Sequence, residues 1–223
     1  MKKINLIVIM LFSISFVVVF LGSLLFLPTR DLYWINGWML IASLVFYILF
    51  IFIYFMIKDP ATLEKRSKLS TEKSDIIYNI LIACLFLALL FLPVLDYRFS
   101  WSQLPLFLAW VGFAGLIISF LIIFLVMREN SFASKGLMIH QGQKVINTGP
   151  YALVRHPMYI SSIIMSISIP LTLGSLIGII PAIFVPFIFG LRICKEEEML
   201  LRELRGYDEY RQKVKYRLIP KIW

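Results

Sequence analysis

The chain has 223 residues, 60% of them hydrophobic and 16% charged, with a mean hydropathy of +0.87. Soluble domains carry about a quarter charged residues, so this composition excludes a water-soluble globule, a disordered chain and a collagen-like fibre. A net charge of +9 points to nucleic acid only where a solvated basic face exists, and the long apolar stretches between the charges rule that partner out.

One membrane-spanning helix needs about 20 consecutive apolar residues. Residues 4–27 follow Lys2 and Lys3 without a single charge. That run is longer than the apolar core of a signal peptide and shows no small-residue cleavage site, so a permanent anchor is expected. The second run covers 33–57, and Lys58-Asp59-Pro60 stops it at the head of a charged connector, 58–75. The third covers 76–95, expected to end near Pro93. A polar turn around Asp96, Arg98 and Ser102 leads to the fourth, 104–127.

From 128 to 156 Gly, Asn, Gln and Lys replace the apolar pattern, and loops of this kind carry function more often than the elements they join. The last apolar region, 157–193, is too long for one span and is interrupted by Pro170 and by Gly174-Ser175. It reads as a helical hairpin whose first arm rises about 26 Å at 1.5 Å per residue, short of a hydrocarbon core about 30 Å thick. A hairpin returns to the side it left, so the 128–156 loop and the C-terminal tail share one face. The expected fold is an all-α polytopic membrane bundle of five to six transmembrane segments. Residues 1–127 supply four helices, and 128–223 form a catalytic region of loop, hairpin and amphipathic tail.

With the N-terminus inside, 20 of the 22 Lys and Arg residues fall on cytoplasmic segments, leaving Arg30 and Arg98 opposite. This is the asymmetry of the positive-inside rule, and it puts both termini and the polar loop in the cytoplasm. Cys84 and Cys194 belong to apolar runs and support neither a disulfide framework nor a cysteine metal site. With His140 and His156 as the only histidines, no metal is expected.

Two segments concentrate chemistry. In Thr148-Gly149-Pro150-Tyr151-Ala152-Leu153-Val154-Arg155-His156-Pro157-Met158-Tyr159, Pro157 suits the first turn of a helix, where its missing N–H is not needed. Arg155 and His156 then stand before a helix N-terminus, whose free N–H groups and partial positive charge favour an anion. The bland alternative is an interfacial anchor, since Arg and Tyr commonly mark the edge of a membrane helix. The second segment is Arg192-Ile193-Cys194-Lys195-Glu196-Glu197-Glu198. Arg192 and Glu196 share a helix face, while Glu197 is turned about 140° from Arg192. Ionisable groups at the edge of a spanning helix are functional candidates; a solvated, amphipathic helix start is the alternative, and is preferred for Glu198.

Together with Gly206-Tyr207-Asp208-Glu209-Tyr210 and Tyr216-Arg217-Leu218-Ile219-Pro220, these segments resemble the isoprenylcysteine carboxyl methyltransferase family. The likeness is to its bacterial members and to the related phospholipid methyltransferases, over roughly 128–223. The resemblance implies S-adenosylmethionine as cofactor, held between the loop and the segment after the hairpin. It implies that Tyr151, Val154, Arg155, His156, Pro157, Tyr159 and Glu196 line the cofactor site, with Arg192 and Glu197 near the reacting groups. Asn130 and Gln141 to Gln143 match more loosely. The acceptor would be lipidic or hydrophobic, reached through the surrounding membrane lipids at the inner face of a bacterial cytoplasmic membrane. A carboxylate would be oriented by Arg192 without a base, whereas an amine would call on Glu197 to take its proton. Two rival readings are a nicotinamide-dependent (NADPH) membrane lipid or sterol-type reductase and a non-catalytic membrane protein.

Overall fold

The computed structural model describes residues 3–60, 62–63, 76–132, 139 and 142–223. Among them are seven α-helices, one 3-10 turn and no strand. The helices are α1 (Lys3–Thr29), α2 (Ile35–Lys58), α3 (Ile76–Phe99), α4 (Leu106–Glu129), α5 (Pro157–Thr172), α6 (Ile179–Glu203) and α7 (Tyr207–Lys213). The 3-10 turn, Gly149–Ala152, lies just before α5. The first four helices are each long and apolar enough to cross a membrane, and large apolar side chains such as Phe12, Phe46, Phe107 and Phe187 are exposed on the bundle, as lipid-facing side chains are. The architecture is therefore an all-helical polytopic membrane fold. Most of the 58–75 connector lies outside the described residues.

Two prolines behave differently from the expectation. Pro93 and Pro170 both lie inside helices, and α3 runs six residues beyond Pro93. In a membrane bundle the carbonyl freed by a helical proline is satisfied by neighbours or local adjustment, so proline alone does not end the helix. The hairpin instead turns after Thr172, where Gly174 takes φ +79°. Its first arm, α5, has 16 residues, or about 24 Å. Its second arm does not stop at Ile193: α6 continues through the acidic cluster to Glu203, so Arg192 and the Glu196-Glu197 pair stand on one unbroken helix.

Helices α4 and α5 pack antiparallel along a seam of small residues. A side chain at Gly112 would collide with the backbone at Leu171 and Thr172, and one at Gly115 would collide with Ser168. Further along, Ser119 and Ser161 are fully buried; the Ser119 hydroxyl donates to the Ser161 carbonyl (3.0 Å) and Ser161 returns the bond (2.9 Å). In lipid, where apolar surface gives no drive for helix pairing, such close backbone approach and interhelical hydrogen bonds hold helices together. The seam sets the start of α5 beside the end of α4.

The opposite end is tied by Asp96, 1% exposed. It accepts bonds from the Ser102 amide (2.6 Å) and hydroxyl (2.5 Å) and from the Ser175 hydroxyl. These bonds clip the α3–α4 loop to the α5–α6 turn. Nearby, Tyr97 of α3 donates to Asp31 after α1 (2.6 Å) and stacks on Trp34 with ring centroids 4.4 Å apart. The turns after α1, α3 and α5 thus gather at one end. The end of α4, the start of α5 and the end of α6 gather at the other, with the polar loop and the tail.

Candidate functional site

The approach to α5 depends on Gly149. Its φ of +57° lies in the left-handed region, and a Cβ there would run into the Glu129 side chain. Glu129 also accepts a bond from the Thr148 hydroxyl (2.8 Å). The chain then makes the 3-10 turn and reaches Arg155 and His156 in a conformation whose amides face the tail. Arg155 N donates to Tyr216 O and His156 N to Arg217 O, both at 2.9 Å. Arg155 Nη1 adds bonds to the carbonyls of Val214 and Lys215, each 2.8 Å. The tail is therefore a wall of the site.

Glu197 is the hub of a buried ionic cluster. Its Oε1 accepts from Arg155 Nε at 2.6 Å and lies 3.2 Å from His156 Nε2; its Oε2 accepts from Arg217 Nε at 2.8 Å. Glu197, His156 and Arg155 are 3%, 5% and 7% exposed. Burial works to raise the Glu197 pKa, but the hydrogen bonds from His156, Arg155 and Arg217 outweigh it and hold the carboxyl well below its ordinary value of 4.5. Arg217, whose guanidinium sits 5.1 Å from the Trp223 ring centroid, binds the tail into this cluster.

Glu196, one residue earlier, faces elsewhere and accepts from the Tyr159 hydroxyl at 2.7 Å. Tyr159 packs on Phe189 with ring centroids 5.0 Å apart. Arg192, 3% exposed, places its guanidinium carbon 4.4 Å from the ring centroid of Tyr78 on α3.

Above this cluster opens a cleft. Tyr151, Arg155, His156, Pro157, Tyr159 and Glu196 line it. Val154, Arg192 and Glu197 are buried and do not line it. Asn130 and Gln143 do, Asn130 donating to the Tyr151 hydroxyl at 3.1 Å; Gln141 lies outside the described residues. Three participants were not assigned from sequence: Arg217, Tyr207 and Tyr78. The first two belong to the tail motifs, so a marker existed, but their partners are distant in the chain. Tyr78 had no signal beyond its place near the start of an apolar run.

Comparison with known proteins bears on these segments. Residues 110–202 match the model of the isoprenylcysteine carboxyl methyltransferase (ICMT) family. The fold is similar to that of a eukaryotic intramembrane Ras methyltransferase ICMT, with a TM-score of 0.54 at 18% identity over 99% of this chain and 86% of that one. A shorter likeness, 30% identity over 86 residues, is to the mouse (Mus musculus) Delta(14)-sterol reductase TM7SF2. It takes in 37% of this chain and 20% of that protein, so the chain spans about a fifth of that relative's length. The family resemblance drawn from the C-terminal motifs agrees with the matched region, and the membrane bundle agrees with the fold of that structure.

Proposed function

We propose that this chain, an ICMT-family membrane protein through its residues 110–202, transfers a methyl group from S-adenosylmethionine to the carboxylate of a lipidic acceptor. The observation that carries the reading is the single cleft lined from both chemistry-bearing segments, with His156 and Glu196 forty residues apart in sequence on its walls. The lining suits a zwitterionic ligand with a nucleoside. Arg155 supplies a positive group for a carboxylate with the His156 ring beside it, Glu196 and Tyr159 supply acceptors for an amine, and Val145, Leu200 and Leu204 supply an apolar wall.

When bound, the cofactor supplies an activated sulfonium methyl. The protein's part is then alignment and exclusion of water, which in favourable intramolecular cases is worth about 7–11 kcal/mol. Transfer to an oxygen of an acceptor carboxylate would leave the carbon–sulfur electron pair on sulfur as a neutral thioether, with Arg155, His156, Tyr159 and Glu196 holding the cofactor. No proton moves. Glu197 fits this chemistry and not the base that amine methylation would ask of it, because both of its oxygens are committed to arginine or histidine N–H groups. We assign it the role of holding Arg155 and His156 in place. Arg192, buried one helical turn before Glu196 on α6, is assigned to orient the acceptor.

Within this proposal residues 128–223 are the catalytic region, and the cleft faces the cytoplasm, where the basic loops collect. A lipidic acceptor would enter sideways from the bilayer, while the polar cofactor arrives from water. The reading is tested by incubating the purified protein with methyl-labelled cofactor and host membrane lipids, followed by mass spectrometry and mild alkaline hydrolysis. A carboxyl methyl ester releases its label as methanol under base; an N-methyl product retains it and overturns the acceptor assignment. The likeness to the sterol reductase gives the second reading, nicotinamide-dependent lipid reduction, and titration with NADPH beside S-adenosylhomocysteine separates the two.

A further inference from the structure

Tyr207 and Tyr210 stand one turn apart on α7, both buried, with ring centroids 5.8 Å apart. Their hydroxyls differ. That of Tyr210 donates to the Tyr151 carbonyl at 2.8 Å. That of Tyr207 is closed off from water and, among the described residues, has no hydrogen-bond partner. A buried hydroxyl left unsatisfied costs about 1–3 kcal/mol, and native structures hold few of them without a reason. Tyr207 is 4% exposed and borders the cleft. It packs there with Val145, Leu200 and Leu204. Arg155, His156 and Glu196 line the same cleft.

We propose that the Tyr207 hydroxyl is the hydrogen-bonding partner of the nucleoside half of the cofactor, an inference that rests on the S-adenosylmethionine reading above. A planar, uncharged base and a hydroxylated sugar match an apolar wall carrying one neutral hydroxyl. The charged amino-acid half matches the ionic groups of the cleft. Burial first, and the nearby Glu197 charge second, push the Tyr207 pKa well up, so the group stays a protonated donor throughout the physiological range.

The test compares the full-length wild type, Tyr207→Phe and Tyr210→Phe in detergent, by calorimetric titration with S-adenosylhomocysteine and by its displacement with adenosine or with homocysteine. Loss of one neutral hydrogen bond corresponds to about a fivefold to tenfold weaker Kd. Tyr207→Phe is expected to weaken S-adenosylhomocysteine and adenosine to that extent and to leave homocysteine unchanged. Its melting temperature without ligand stays the same or rises, because an unsatisfied buried hydroxyl has been removed. Tyr210→Phe, which breaks a made bond, lowers the unliganded melting temperature. Wild-type affinity for S-adenosylhomocysteine in Tyr207→Phe overturns the assignment of Tyr207 alone; weakening confined to homocysteine overturns the nucleoside placement. Absence of binding to the wild type overturns the cofactor reading and this inference with it.

Discussion

Arg155 and Glu197, 42 residues apart in sequence and both buried, meet at 2.6 Å between Nε and Oε1. Removing one partner of such a pair strands the other charge, at a cost of about 3–5 kcal/mol. Glu197→Ala is therefore expected to lower the melting temperature and abolish cofactor binding, while Arg155→Ala does the same with the opposite charge left behind. If Glu197 organises the site and is not a base, Glu197→Gln retains measurable methyl transfer in the pH range where the protein folds. Complete loss of turnover in a folded, cofactor-binding Glu197→Gln protein contradicts the role given to it.

The same carboxyl sets an acid limit. Its folded pKa lies below the ordinary 4.5, so its stabilising contribution is fully present above that value. The contribution is lost progressively as pH falls below about 4.5 toward the depressed folded pKa, where the folded state too takes up the proton. Thermal melts in detergent from about pH 7 to about pH 3 should thus show a flat neutral region and an acid decline. In Glu197→Gln the decline should be shallower. An identical acid limb in the two proteins removes Glu197 as its source.

Arg217 links the tail to this hub through its bond to Glu197 and its position over Trp223. The Arg217 side chain is 32% exposed, so solvent screens the pair and its contribution falls below that of the fully buried Arg155. Arg217→Ala is expected to weaken S-adenosylhomocysteine binding by about tenfold with a smaller fall in melting temperature, a loss of roughly 1–2 kcal/mol. Lysine at this position keeps the charge but lacks the planar group that stacks and donates along one edge, so Arg217→Lys should recover little of the affinity. The measurement is a calorimetric titration of the three proteins.

The helical plan was legible because length and apolarity alone decide whether a segment crosses a bilayer, and four spans and a hairpin can be read from 223 residues on that ground. The limits were local. Pro93 suggests a helix end by a rule that holds in water, yet it lies inside a helix here. Arg155, His156 and Glu197 carry a motif that draws attention, but nothing in their spacing tells that all three meet at one carboxylate. Likewise Tyr207 and Tyr210 look alike in sequence. Which of the two hydroxyls is satisfied depends on where the Tyr151 carbonyl falls, a property of the folded loop.

Gly149 offers a test of the local geometry that delivers Arg155 to the cleft. Two effects oppose a side chain there: the left-handed φ, worth about 1–2 kcal/mol for an L-residue, and the Glu129 side chain in the space a Cβ would take. Gly149→Ala should destabilise the protein and weaken cofactor binding together. Adding Glu129→Ala relieves the collision but not the backbone strain, so partial recovery of melting temperature is expected. Full recovery would show that the collision was the whole effect.

Arg192 and Tyr78 connect α6 to α3, a helix outside the matched family segment. A guanidinium over a ring face, here 4.4 Å from the centroid, gains about 0.5–2 kcal/mol, more when desolvated, and the stacking fixes the plane in which its N–H groups point. If that plane orients the acceptor, Tyr78→Phe keeps the stacking surface, whereas Tyr78→Leu removes it. The expected result for Tyr78→Leu is a KM for the lipidic acceptor raised by about threefold to tenfold with the KM for S-adenosylmethionine unchanged. A general packing defect would move both constants and the melting temperature in step. Kinetics of the two variants against varied acceptor and varied cofactor therefore distinguish an orienting ring from a merely structural one.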